Sequence, residues 1–322
     1  MKTPLFAALL LATTVTASPV AAQQAISASD RQQGNAAHPQ LMAEFGGAYT
    51  GPQAAYVARI GKQVAVKSGL SNAAGDFTVT TLNSPVENAF AIPGGYIYIT
   101  RQLLALMNSD AELASVLGHE VGHVAARHAA SRNKRSTIGS VLAAAASMAT
   151  GSELAGRAIG TGAQLYTLKY GRDQEYQADA LGVRYMTAAG YDPYAAADIL
   201  SALDASTGLA SNGTGRSQPT WMSSHPNSAD RVRRAVQLAA ATGRPETTPP
   251  QDVRFLRMLD GLPYGQGRQV IRIATVGPRD TIDTLSARMA GDTKRERFMV
   301  LNGLVDDRPP TPGSLVKLVV AG

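Results

Sequence analysis

Ser109-Asp-Ala-Glu-Leu-Ala-Ser-Val-Leu-Gly-His119-Glu120-Val-Gly-His123-Val-Ala-Ala-Arg-His128 is the stretch on which the fold is read. Ser109 with Glu112 three residues on forms a capping box that starts a helix expected to run to about Ser131. Leu113, Val116, Leu117, Val121 and Val124 give it an apolar face at helical spacing. Residues four apart lie one above the other on a helix, so His119 and His123 point the same way. Two imidazoles so placed bind one zinc ion, with Glu120 beside them as general base. The bland alternative is a solvated helix with two surface histidines, but Gly122 is a poor residue for an ordinary helix interior. It fits a position where something passes close to the backbone. His128 is about 140° further round the helix than His123, which argues against it as a ligand.

A catalytic zinc needs a third protein ligand. A second long helix is expected from Leu165 to Ala189, and on it Glu175 and Asp179 share one face. Glu175 is the candidate ligand, and Asp179 would accept the outer N–H of a ligand histidine and so hold its ring. Against this stands the ordinary reading of two exposed helix carboxylates.

Around these helices the chain divides by composition. Residues 1–22 read as a cleaved export signal: Lys2, an apolar core from Leu5 to Val15, and Val20-Ala21-Ala22 before Gln23. An uncleaved anchor is the other reading. Export and a periplasmic location are therefore expected. With no cysteine in the chain, any zinc must be held by histidine and carboxylate. The net charge of +6 is spread along the chain, which suits anionic envelope components and excludes nucleic acid as a partner of an exported protein.

Ser27–Ser71 has helical periodicity broken at Gly46-Gly47, Phe77–Leu82 alternates as a strand, and Asn88–Ile92, Pro93-Gly94-Gly95 and Tyr96–Thr100 form a hairpin. Arg132–Arg135 is a basic turn. The Ala-rich run Ile138–Thr150 is too short to span a membrane and suits either a buried lid or a peripheral membrane contact. A helix opens at Pro193 and runs to about Leu203, a mobile loop follows over Gly208–Pro219, and a helix covers Ser228–Ala241. Beyond the Pro-rich linker at Arg244, strand Gln269–Val276, helices Asp280–Ala290 and Thr293–Asn302, and strand Leu315–Val320 make a small module. Its expected core is Ile271, Ile273, Ile282, Leu285, Met289, Phe298, Leu301, Leu315 and Leu318.

His119-Glu-Val-Gly-His123, Asn88-Ala-Phe-Ala-Ile-Pro-Gly-Gly95, Glu175-Tyr-Gln-Ala-Asp179 and His225-Pro226 with Arg231 resemble the motifs of one zinc metalloprotease family. It is the family of CAAX prenyl protease, HtpX and BepA type, peptidase family M48, and the resemblance covers roughly 27–242. It implies a gluzincin fold with one Zn2+ per chain on His119, His123 and Glu175, and Asp179 behind them. It further implies that Asn88 and Ala89 lie on an edge strand that pairs with extended substrate, and it puts Arg231 among the substrate-binding residues. His225 would either stabilise the oxyanion or cap the metal as a removable ligand. The C-terminal stretch is similar to a LysM module, which implies peptidoglycan binding; a structural cap is the other reading.

The expected protein is α+β and mostly helical: a gluzincin-type metallopeptidase domain at 23–243 with a small edge-strand sheet, a linker with a short helix at 244–266, and a β-α-α-β module at 267–322. Its expected function is zinc-dependent endopeptidase action on misfolded or envelope proteins, with Glu120 and His225 catalytic and no transmembrane span. The alternative is a chaperone-like or peptidoglycan-binding envelope factor whose zinc site is self-inhibited.

Overall fold

The computed structural model describes residues 25–128, 170–212, 221–226, 229–248, 250–304 and 308–322. The export segment, the basic turn at 132–135 and the run at 138–150 lie outside these residues. Helix α1 (Ala28–Glu44) begins with a reciprocal cap in which Ser27 and Asp30 exchange two 3.0 Å hydrogen bonds. The expected break follows, and α2 (Gln53–Ala65) buries Val57, Ile60 and Val64.

Strands β1 (Thr78–Leu82), β2 (Ala89–Ile92) and β3 (Tyr96–Thr100) form a sheet in the order β1-β3-β2, with β1 parallel and β2 antiparallel to the central β3. The hairpin register sets Phe90 opposite Tyr98. Gly94 and Gly95 turn it with φ of 95° and 88°, and a Cβ on Gly95 would lie 2.3 Å from the Asp76 carbonyl oxygen. Only glycine permits that approach. Among the described residues β2 has a strand on one side only, which keeps one of its edges unpaired.

Short α3 (Arg101–Leu106) leads to the motif helix α4 (Asp110–Ala125), then α5 (Arg172–Ala188), α6 (Ala195–Asn212), α7 (Trp221–Ser224) and α8 (Ala229–Ala241). Ser109 caps α4 as expected, accepting from Glu112 N at 3.1 Å, but the Glu112 carboxylate accepts from Asn108 N at 2.8 Å instead of closing the box. The helix stops at Ala125, short of Ser131, because Arg127 takes a left-handed φ of 55°. Likewise α5 starts after Gly171, later than expected.

In the opposite sense, α6 continues through Gly208 to Asn212, where a loop was expected. Leu203 is fully buried and Ser206 donates to both carboxylate oxygens of Glu87 (2.8 and 2.9 Å), so packing outweighs the low helix propensity of one glycine. Helices α4 and α5 meet backbone to backbone. A Cβ on Gly122 would lie 3.0 Å from Ala178 O, and one on Gly118 would lie 3.1 Å from Gly182 O. What passes close to Gly122 is therefore the neighbouring helix.

The C-terminal part holds α9 (Val253–Met258), β4 (Pro263–Tyr264), β5 (Gln269–Thr275), α10 (Ile282–Ala287), α11 (Lys294–Leu301) and β6 (Leu315–Ala321), with an antiparallel sheet β4-β5-β6. The strand–helix–helix–strand order is as expected, and of the expected core only Ile273 is half-buried. That core is not separate. One buried cluster runs from Val57 on α2 through Leu117 on α4 and Leu203 on α6 to Phe298 and Val319. The expected linker is partly packed too, since Phe255, Leu256, Leu259 and Leu262 are buried. Gln53 donates to the carbonyls of Met258 and Asp260 (3.0 and 3.2 Å), and Arg101 to that of Pro263 (2.9 Å). Fully buried Lys317 on β6 donates to the carbonyls of Ala105, Leu106 and Met107 at 2.9, 3.0 and 2.8 Å. These carbonyls have no partner within α3, whose end they form.

Candidate metal centre

Four side chains from three elements converge: His119 and His123 from α4, Glu175 from α5, and His225 just after α7. One potential ligand atom from each lies within 4.8 Å of all the others, and all four side chains are buried. His119 Nε2 is 2.9 Å from His123 Nε2, and the two Nε2 atoms are each 3.5 Å from a Glu175 oxygen. His225 Nδ1 is 3.3 Å from His119 Nε2 and 3.2 Å from Glu175 Oε1. A tetrahedron with zinc–nitrogen bonds of 2.0–2.1 Å has edges of about 3.3 Å, so these separations suit the ion. Buried Glu175 Oε2 accepts no hydrogen bond, although Arg231 Nη1 stands 2.8 Å away and out of line for one. A buried nitrogen and carboxylate donor set without thiolate, its Glu175 oxygens 3.5 Å from both imidazoles, fits a single zinc ion.

The surroundings fix two of the ligands. Asp179, one helical turn beyond Glu175 on α5, accepts from His119 Nδ1 at 2.9 Å, which leaves the Nε2 lone pair facing the cluster. Arg231 on α8 grips both Asp179 oxygens at 2.8 and 2.7 Å and donates to the carbonyls of His225 and Pro226 at 3.2 and 3.3 Å. Burial alone would raise the Asp179 pKa, but the hydrogen bonds from Arg231 and His119 reverse that and hold it well below the carboxylate range. Arg231 is 1% exposed with its donors committed to these groups. The structure thus places Arg231, expected among the substrate-binding residues, behind the Asp179 and Glu175 carboxylates, with its hydrogen bonds going to Asp179, His225 and Pro226.

Glu120 turns its carboxylate aside from the cluster and accepts from Trp221 Nε1 at 2.9 Å, with His225 Nε2 3.7 Å away. Burial pushes its pKa well above the ordinary value and the indole hydrogen bond opposes this. Burial lowers the pKa of both His119 and His123, which favours the neutral imidazoles that can donate lone pairs. Asn88 and Ala89 sit at the start of edge strand β2 with their side chains buried. The Asn88 N–H is spent on Thr100 Oγ1 (3.1 Å) and its carbonyl accepts from Thr100 N (2.9 Å). What they can offer an extended peptide is therefore strand position, not side-chain contact.

Sequence reasoning missed Trp221, Tyr170 and the place of His128. Trp221 stacks on His225 with centroids 4.4 Å apart and 14° between planes, and Tyr170 stacks on His123 at 3.8 Å and 28°. The signal for the first was present: the chain's single tryptophan stands four residues before His225. His128 is outside the cluster, as expected, but the wheel argument fails because the helix ends before it. Its Nδ1 is 2.8 Å from His123 Nδ1.

The profile of peptidase family M48 matches residues 52–239, which hold all four of the converging side chains. The chain is 30% identical over 218 residues to mitochondrial metalloendopeptidase OMA1 of Schizosaccharomyces pombe, covering 66% of this chain and 62% of that protein. It is 32% identical over 160 residues to the Arabidopsis thaliana protein of the same name, covering 49% and 31% of the two. It is 29% identical over 188 residues to the beta-barrel assembly-enhancing protease of Yersinia pestis, covering 55% and 37%. The chain thus spans less than two thirds of each of these relatives.

Proposed function

This chain belongs to peptidase family M48, and from that premise we propose that it is an exported zinc-dependent endopeptidase that cleaves misfolded or envelope proteins in the periplasm. The observation that carries the proposal is the buried convergence of His119, His123 and Glu175 with the Glu120 carboxylate beside it. His119, His123 and Glu175 would hold one zinc ion, which when bound polarises a scissile carbonyl and acidifies water. Glu120 would take a proton from the attacking water and deliver it to the leaving amine, and the Trp221 Nε1–H holds its carboxylate beside the cluster. Asp179 and Arg231 hold His119 and the His225 loop in place behind the ligands. An extended peptide would add to the unpaired edge of β2 from Ala89 onward through backbone hydrogen bonds, with Asn88 anchoring the start of that strand on Thr100.

The exported and periplasmic parts of the proposal rest on the signal read at residues 1–22. No described helix is long and apolar enough to cross a membrane. The packing of the C-terminal part supports reading it as a cap on the protease core, while its LysM-like stretches keep peptidoglycan a candidate partner. Sedimentation of the protein with purified peptidoglycan separates the two.

One observation favours a second reading of the site. With His225 among the potential donors, four protein groups would be available to a bound ion and would compete with water for it, a self-inhibited arrangement. His225 as a removable cap reconciles that arrangement with an intact Glu120. Metal analysis and turnover of unfolded casein test the proposal together. One zinc per chain in both the wild type and Glu120→Gln, with cleavage lost in Glu120→Gln, is expected. Equal cleavage by the two proteins, or no zinc in the wild type, overturns it.

A further inference from the structure

His128 lies outside the converging donors, yet it is nearly as buried as they are, at 3% exposed. Arg127, with its left-handed φ of 55°, ends α4 and folds His128 back against the helix it has just left. There the ring meets His123 Nδ1 through its own Nδ1 at 2.8 Å and Gln177 Oε1 through its Nε2 at 2.9 Å. Gln174 Nε2 reaches the His128 carbonyl at 3.5 Å, so two glutamines of α5 hold this one residue.

The proton positions along this line are interdependent. A His123 that binds a metal through Nε2 carries its single proton on Nδ1, so Nδ1 donates. His128 Nδ1 must then accept, which places the His128 proton on Nε2. A donating Nε2 needs an acceptor, and the Gln177 amide oxygen is one. Reversing the Gln177 amide reverses the whole line: His128 would donate from Nδ1, and His123 would turn an N–H toward the cluster. A metal cannot use that nitrogen.

We propose that His128 and Gln177 are positioning residues that set the tautomer of His123, doing with neutral groups what Asp179 does with a charge for His119. The inference rests on the reading of His123 as a zinc ligand. It also accounts for the early end of α4, since a helix continued past Arg127 would carry His128 away from His123.

The test is zinc affinity, measured on the full-length protein by competition with a fluorescent chelator. His128→Leu should weaken binding by about 10- to 100-fold, the usual effect of losing a group that orients a ligand. Gln177 is exposed, so its variants leave the core intact. Gln177→Glu, which keeps an acceptor, should retain wild-type affinity. Gln177→Lys, which presents only donors, should weaken binding in the same direction as His128→Leu. In zinc-loaded protein labelled with 15N-histidine, the nitrogen shifts should show His123 protonated at Nδ1 and His128 at Nε2. Equal zinc affinity for Gln177→Lys and Gln177→Glu, or a proton on His128 Nδ1, overturns the relay. A wild type that binds no zinc, or His123→Ala with undiminished affinity, overturns the underlying zinc reading instead.

Discussion

Replacing Lys317 by methionine keeps the length of the stem and removes the ammonium, and its cost follows from what the ammonium touches. Nζ serves three carbonyls at the end of α3, of Ala105, Leu106 and Met107, at 2.9, 3.0 and 2.8 Å, and the side chain is fully buried. Burial lowers the Lys317 pKa and the neighbouring Glu112 carboxylate pulls it back up. A neutral amine has two N–H donors for three acceptors, so the ammonium form satisfies all of them. In Lys317→Met the Ala105 and Met107 carbonyls lose this partner in a dry site, at about 1–3 kcal/mol each, the Leu106 carbonyl keeps only Asn108 Nδ2, and Glu112 loses its counter-charge. Relaxation and water recover part of this, so the measured loss for breaking such a buried arrangement is about 3–5 kcal/mol. At about 2–4 °C per kcal/mol the melting temperature should fall by roughly 6–20 °C. Circular dichroism of the zinc-loaded protein reads this directly. The double variant with Glu112→Gln should melt above the value expected by adding the two single losses, because the charge left unpaired is then gone. A fall of less than about 2 °C would refute the reasoning, since it would mean that β6 hangs on the protease core without bracing it.

Asp179→Ala should weaken zinc binding by about 10- to 100-fold in chelator competition, and unchanged affinity would remove it from the site. His225→Ala should raise basal casein cleavage with zinc content unchanged; if His225 instead stabilised the oxyanion, the rate would drop by about 10²–10³. Burial raises Glu87 from 4.5 to about 7 against the opposing hydrogen bond of Ser206. The folded protein therefore holds that proton more tightly than the unfolded chain, a stabilisation present below about 4.5 and lost as pH rises through about 7. Melting curves across that window should slope less for Glu87→Gln than for the wild type, and identical slopes would refute the assignment.

What could be read without coordinates was whatever local periodicity carries. His119, His123, Glu175 and Asp179 are paired four apart on two helices, and a helix repeat brings each pair to one face. For His128 the same repeat gives the right exclusion for the wrong reason, since the helix ends before Arg127, where nothing in the residue type announces a left-handed turn. Arg231 comes to the site through the family motif, and its place relative to the carboxylates cannot be read from that motif. Its burial beneath Asp179 is a tertiary fact. The core of the C-terminal strands and helices was legible from alternation. Its junction with α3 was not, since Lys317 looks like any solvent-facing lysine of a strand. Trp221 stands on the single turn α7, and Tyr170 lies just before α5 in a stretch expected to be helical, so neither place follows from a repeat.

The close approach of Gly118 to Gly182 and of Gly122 to Ala178 has a consequence for which ions the protein accepts. Most helix pairs are separated by side chains, and such padding yields when a guest of another size arrives. Here the two helices that carry His119, His123 and Glu175 rest main chain on main chain, so their separation behaves like the fixed opening of a gauge. An ion with longer bonds than zinc has to be met by swinging imidazoles away from Asp179 and His128, not by spreading the helices. Tolerance for ionic radius is thus set at three positions that own no side chain and bind nothing.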